Sequence, residues 1–196
     1  MAEKKNAISY ESIMKDLKAR KFAPVYVLMG DEPFYIDKIC DYIAENVLQP
    51  EERDFNQTVL FGADTTAVQV VDQCKGYPMM AEFRVVIVKE AQNLKSLDAL
   101  EKYLEKPVKS TVLVICNKNG SIDRRKKFIP RAEQVGVVFE SKKLYDRQLP
   151  GFIETYLKAR KATIEPKAVQ MVADHIGASP PNSTSCSSLF LTPTDG

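Results

Sequence analysis

The stretch "KGYPMMAEFRVVIVKEA", residues 75–91, decides the architecture and raises a question about it. Residues 83–88 are a short, mostly apolar run dominated by valine and isoleucine, the composition of a strand that belongs in a core. A glycine, a tyrosine, a proline and two adjacent methionines stand directly in front of it, where a solvent-exposed turn is expected. Pro78 does not continue a helix comfortably, and paired methionines at a helix end are no obvious core layer. Either Met79 and Met80 fold back and fill a gap under the sheet edge, or they are offered to a partner. Methionine is flexible and polarizable, and it is over-used where a surface must fit another molecule's pocket. A short helix or turn presenting Tyr77, Met79, Met80 and Phe83 would be an exposed apolar patch of the kind that marks interfaces.

Outward from this strand the chain alternates strands with helices. "SYESIMKDLKARK" places Tyr10, Ile13, Met14 and Leu17 at helical spacing with Ser9 as N-cap. "PVYVLMG" is a buried strand. "DEPFYIDKICDYIAENVL" opens a helix with Asp31 as cap and Pro33 in the first turn. Residues 55–61 read as a strand, and "TTAVQVVDQCKG" as a helix capped by Asp64 or Thr65. "SLDALEKYLEK" is a short amphipathic helix, "STVLVICN" a buried strand, "SIDRRKKFIPRAEQ" a basic helix and "VGVVFE" the last strand. This order from residue 24 to about 144 predicts a parallel sheet flanked by helices. Two helices follow, "DRQLPGFIETYLKARKA" and "EPKAVQMVADHIG", the start of a separate helical unit joined near residues 142–147.

The chain has 196 residues, 44% hydrophobic and 28% charged, as expected for a globular protein with room for one α/β domain and a fragment of a second. A net charge of +2 marks no global field for nucleic acid, so any basic patch must be local. The four cysteines (Cys40, Cys74, Cys116 and Cys186) lack CxxC spacing and three sit in apolar runs, which predicts buried thiols in a reducing compartment. The polar start "MAEKKNAISYES" is no signal peptide. No apolar run approaches the roughly 20 residues needed to cross a bilayer, and a cytoplasmic location is expected.

The sites of common α/β enzymes are missing. The turn "GDEPFYID" after the first strand has one glycine and no Gly-Lys-Ser/Thr, so it cannot wrap backbone N–H groups round a triphosphate. The strand 83–88 ends in Lys89 and Glu90, where a magnesium-holding Asp would stand. Asn117 reads as a strand-ending residue that starts a turn. The single histidine, His175, makes a triad or metal site improbable. Asp31 and Glu32 read as helix-start residues that complement the dipole. No enzymatic activity, cofactor or metal is expected. One cluster is basic: Arg124, Arg125, Lys126 and Lys127, which could grip a DNA backbone or form a solvated helix face.

The order of motifs resembles a known family. "PVYVLMGDEPFYIDKICDYI", then "CKGYPMMAEFRVVIVKEA", then "VLVICNKNGSIDRRKKF" is similar to the delta subunit of the bacterial DNA polymerase III clamp loader, from about residue 9 to 177. The "GDEPF" turn and the Pro–apolar–apolar step before Phe83 and Arg84 are its most specific parts. The resemblance implies an AAA+-like, P-loop-type domain that has lost ATP binding. It implies a non-catalytic subunit that binds the ring-shaped sliding clamp and helps open it, two hydrophobic side chains at a helix end entering a pocket on the clamp. On this sequence these are Met79 and Met80, flanked by Tyr77, Pro78 and Phe83. The implied partners are the sliding clamp, the other clamp-loader subunits and, through the complex, primer-template DNA, with no membrane. Rival readings are a P-loop-like enzyme with an unorthodox nucleotide site and a DNA-binding module built on the basic cluster.

The expected organisation is a clamp-binding domain over residues 1–144, a partial helical lid over 145–178 and an aberrant or disordered tail over 179–196. Family members are considerably longer. The ending "ASPPNSTSCSSLFLTPTDG" abruptly loses charge and turns rich in Ser, Thr and Pro, which a change of reading frame with a small deletion would explain. An incomplete lid is expected to be less ordered than the sheet domain.

Overall fold

The computed structural model describes residues 8–124, 126–142, 165, 167–169 and 171. The chain divides into two compact units, Met1–Ser141 and Lys142–Gly196. In the first, helices α1 (Tyr10–Lys18), α2 (Pro33–Asn46), α3 (Arg53–Asn56), α4 (Ala67–Lys75), α5 (Asp98–Tyr103) and α6 (Phe128–Val135) alternate with strands β1 (Val25–Gly30), β2 (Gln57–Phe61), β3 (Arg84–Lys89), β4 (Thr111–Lys118) and β5 (Val137–Ser141). The sheet order is β2-β3-β4-β1-β5 and each pair of neighbouring strands runs parallel, with Val27 opposite Ile115 and Val86 opposite Leu113. This is the parallel sheet flanked by helices that the sequence implied.

The near-continuous apolar strands follow from burial on both faces. Alternate residues point to opposite sides, so Val25, Val27, Val86, Val88, Leu113 and Ile115 join the layer under α4, α5 and α6. Tyr26, Leu28, Val85, Ile87, Val112 and Val114 join the layer under α1 and α2. Each fully buried valine, leucine or isoleucine contributes roughly 1.5–3 kcal/mol relative to exposure. Cys40, Cys74 and Cys116 are buried free thiols in these layers, and burial pushes Cys74 up to about 12.

The start of α1 agrees with the sequence reading, and those of α2, α4 and α6 differ from it. Ser9 caps α1, accepting from the Ser12 amide. The cap of α2 is Glu32, not Asp31: a residue before proline is driven out of the helical region, and Glu32 is extended (φ −108) with its carboxylate accepting from Phe34 N. The cap of α4 is Thr66, because Gln69 completes a capping box with it, its side chain accepting from Thr66 N at 2.8 Å. Strand β2 begins at Gln57, since residues 53–56 close one helical turn. The basic helix expected from residue 121 starts only at Phe128. Proline is tolerated in a helix's first turn but collides with the preceding turn further in, and Pro130 therefore sets the start. The sequence-predicted lid and tail, with His175 and Cys186, lie outside the described residues apart from 165, 167–169 and 171. No helix among the described residues is long and apolar enough to cross a membrane.

A candidate docking loop at the edge where the strands begin

All strands start at one edge of a parallel sheet, and the connection from α4 into β3 crosses that edge. The loop is tied at several points. At its entry, buried Thr111 donates its hydroxyl to Cys74 O at 2.8 Å, satisfying a carbonyl of the last turn of α4. Arg84 Nη2 donates to Gln73 Oε1 at 2.8 Å, drawing the end of the loop to its beginning. In the middle, the fully buried side chain of Asn56 brackets Met79. Its Oδ1 accepts from Met79 N at 2.6 Å and its Nδ2 donates to Met79 O at 2.9 Å. At the exit, the half-buried Phe83 meets Phe22 edge-on with centroids 5.6 Å apart, and Arg20 lies 5.4 Å over the Phe22 ring.

Between these ties the side chains point outward. Tyr77 is 85% exposed, Met79 61% and Met80 102%, while Pro78 is partly buried. Met80 has φ 53, a left-handed conformation that costs a residue with a Cβ roughly 1–2 kcal/mol. The alternative in which the methionines fold under the sheet does not occur. Phe83 departs from the expected group: it packs against the α1–α2 layer rather than joining the exposed patch. Next to Asn56, Phe55 on α3 is 66% exposed, and Val59 and Phe61 are exposed further along the edge strand β2, toward its far end. Neither Asn56 nor Phe55 stood out in the sequence. An isolated Asn-Phe pair near a turn carries no periodic signal, and the Asn56 contact spans 23 residues.

At the opposite edge, the turn from β1 into α2 is closed. Gly30 N donates to Gly120 O at 2.9 Å, Asp31 N to Ser141 O at 3.2 Å and Glu32 N to Ser141 Oγ at 3.3 Å. Gly30 has φ +128, and a Cβ there would lie 2.0 Å from Ser141 O. The backbone donors that would cradle a phosphate in a P-loop thus face the turn after β4 (Gly30) and the end of strand β5 (Asp31 and Glu32). Asn117 Nδ2 donates to Gly120 O at 2.9 Å, holding the turn that follows β4. Lys118 pairs with Asp37 at 2.6 Å. Burial pulls its pKa down, but the hydrogen bond and charge of Asp37 outweigh this and the pKa is raised. Among the described residues no group of three or more His, Cys, Asp or Glu is placed to hold a metal ion.

The basic cluster is not one surface of free cations. Arg124 donates to Glu140 Oε2 at 2.6 Å and to Glu133 Oε1 at 3.3 Å. Lys126 and Lys127 are exposed, and Arg125 lies outside the described residues.

Comparison with known proteins places this architecture. The chain is 27% identical over 168 residues to the DNA polymerase III subunit delta of Bacillus subtilis (strain 168), covering 81% of this chain and 48% of that protein. Among solved structures, the Bacillus subtilis DNA clamp loader delta protein superposes with a TM-score of 0.71 at 26% identity, covering 83% of this chain and 51% of the other. The chain thus spans about half the length of the relatives it matches. The family model described as DNA polymerase III, delta subunit, matches residues 26–142, from the first strand to the end of the last. The chain belongs to the DNA polymerase III delta subunit family.

Proposed function

We propose that this chain is a non-catalytic clamp-loader subunit that binds the DNA sliding clamp through the loop before β3 and helps open the ring during replication. Met79 and Met80 are the anchors that enter a pocket on the clamp, with Tyr77 and Pro78 beside them and Phe83 as the base on which the loop stands. In this reading residues 1–144 form the clamp-binding domain and 145–178 the beginning of a lid. The other loader subunits and primer-template DNA are partners of the assembled complex.

The observation that carries this reading is the exposure of Tyr77, Met79 and Met80 on a backbone tied at both ends and in the middle. Exposed apolar side chains on a mobile tail would suit many roles. On a fixed loop they present one shape, which lowers the ordering cost of docking. Ring opening then works as a population shift, because the loop favours an open clamp only by binding that state better. The engaged amides of Asp31 and Glu32 favour this reading over a nucleotide-hydrolysing one.

The test is binding of the chain to the sliding clamp of the same organism, beside a Met79→Ala/Met80→Ala variant. Truncating two central anchors costs about 2 kcal/mol or more each at such a site, so the variant is expected to lose most binding while melting as the parent does. Equal binding by both would refute the site.

A further inference from the structure

The Met79 peptide is held by one side chain. Asn56 is the last residue of α3 and is fully buried, so no partner can touch it. Its carboxamide makes three hydrogen bonds: Oδ1 accepts from Met79 N at 2.6 Å, and Nδ2 donates to Met79 O at 2.9 Å and to Glu52 O at 3.0 Å. An amide side chain offers a C=O and an N–H side by side, the same pair a neighbouring strand would present. Among the described residues no other group hydrogen-bonds the Met79 backbone. The next residue, Met80, holds φ 53. A strained dihedral persists only where the surroundings over-determine it, and the Asn56 bracket lies on the peptide immediately before it. The bond from Nδ2 to Glu52 O fixes the amide in turn, tying the loop to the helical turn at the start of β2.

We propose that Asn56 is the positioning residue of the docking loop: its carboxamide fixes the Met79 peptide so that Met79 and Met80 already project in the docking conformation before a partner arrives. This rests on the reading that those methionines enter the sliding clamp. Asn56 sets affinity without contact, by removing the ordering cost that a free loop would meet on binding. The residue type matters. Alanine provides neither acceptor nor donor. Aspartate keeps the acceptor for Met79 N, loses the donor to Met79 O when ionised, and regains an O–H donor when protonated.

The experiment uses the full chain and the sliding clamp of the same organism. It compares Asn56→Ala, Asn56→Asp, Met79→Ala/Met80→Ala and the triple variant carrying Asn56→Ala, with amide exchange read at Met79. Asn56→Ala is expected to weaken clamp binding about tenfold or more and to speed exchange at the Met79 amide. It should add no further loss to the double-methionine variant, since it acts only through those side chains. If Asn56→Ala does not fold, Asn56→Asp decides. Position 56 is fully buried, and burial without a cation raises a carboxyl's pKa well above its ordinary value, so the clamp affinity of this variant relative to the parent should rise as pH falls from about 7.5 to about 5, and a flat ratio overturns the proposal. A folded Asn56→Ala variant that binds as the parent does, while Met79→Ala/Met80→Ala does not, overturns the positioning role alone. Undiminished binding by Met79→Ala/Met80→Ala overturns the docking reading and the proposal with it.

Discussion

The ring of Phe83 meets that of Phe22 edge-on at 5.6 Å, although three residues earlier Met80 is fully exposed. Two apolar side chains of one short loop thus have opposite roles, one holding the loop to the core and one standing clear of it.

The contrast predicts opposite stability effects. Phe83→Ala removes a half-buried ring and its aromatic pair, and is expected to cost about 2 kcal/mol, below the roughly 3–5 kcal/mol of a fully buried phenylalanine. Met80→Ala is expected to stay within about 0.5 kcal/mol of the parent. Urea denaturation of the two variants checks this, and a loss at Met80 as large as at Phe83 would contradict the exposed placement.

Met80→Gly separates strain from binding. Glycine relieves a left-handed cost of roughly 1–2 kcal/mol but adds about 0.4–1 kcal/mol of unfolded-chain entropy. The variant is therefore expected to be as stable as the parent or slightly more so, while losing clamp affinity with the side chain. Met80→Val, whose branched side chain tolerates positive φ poorly, should melt below the parent. Thermal melts beside clamp titration give both readouts.

Gly30→Ala is expected to be severe, costing several kcal/mol, because a Cβ would collide with Ser141 O at 2.0 Å and φ +128 suits glycine alone. With the amides of this turn engaged by Ser141, millimolar ATP with magnesium is expected to leave the parent's melting temperature unchanged. A saturable upward shift would restore a nucleotide role to this turn.

Alkaline stability should fall in a defined window. Burial pushes Tyr103 up to about 12 from an ordinary value of 10.0, with the neighbouring Cys74 adding to it, and burial likewise raises Tyr35 to about 12. A group whose pKa is higher folded than unfolded contributes stability that is complete below the unfolded value and lost as pH rises through the folded one. Stability is therefore expected to decline between about pH 10 and 12. Tyr103→Phe removes one of these titrations, at the cost of the bond from Val108 N to the Tyr103 hydroxyl at 3.2 Å. It should be less stable at neutral pH and decline less steeply in alkali. Urea midpoints measured across this range would show an unchanged slope if the idea is wrong.

Much of the fold was legible because it depends on local pattern. Strands β1, β3 and β4 are read from continuous apolar runs, since helices cover both their faces and remove the need for alternation. The caps erred by one or two positions where a neighbour decides: Pro33 moves the cap of α2 to Glu32, and Gln69 draws that of α4 to Thr66. The start of α6 was misplaced because the charge run before it looked helical, while the restriction came from Pro130, later in the chain.

The sequence by itself determined the order of elements, the parallel sheet, the lack of a Gly-Lys-Ser/Thr phosphate loop and the position of an unusual Tyr-Pro-Met-Met segment ahead of β3. It left open whether those methionines face core or solvent. The tertiary structure decided that through contacts between distant positions: Asn56 with Met79, Phe22 with Phe83, Thr111 with Cys74. Helix and strand propensities act over a few neighbouring residues, so they can be read along the chain. The direction of a side chain in an irregular loop is set by whichever buried groups the fold brings against its backbone, and those partners become visible only once the chain has closed on itself.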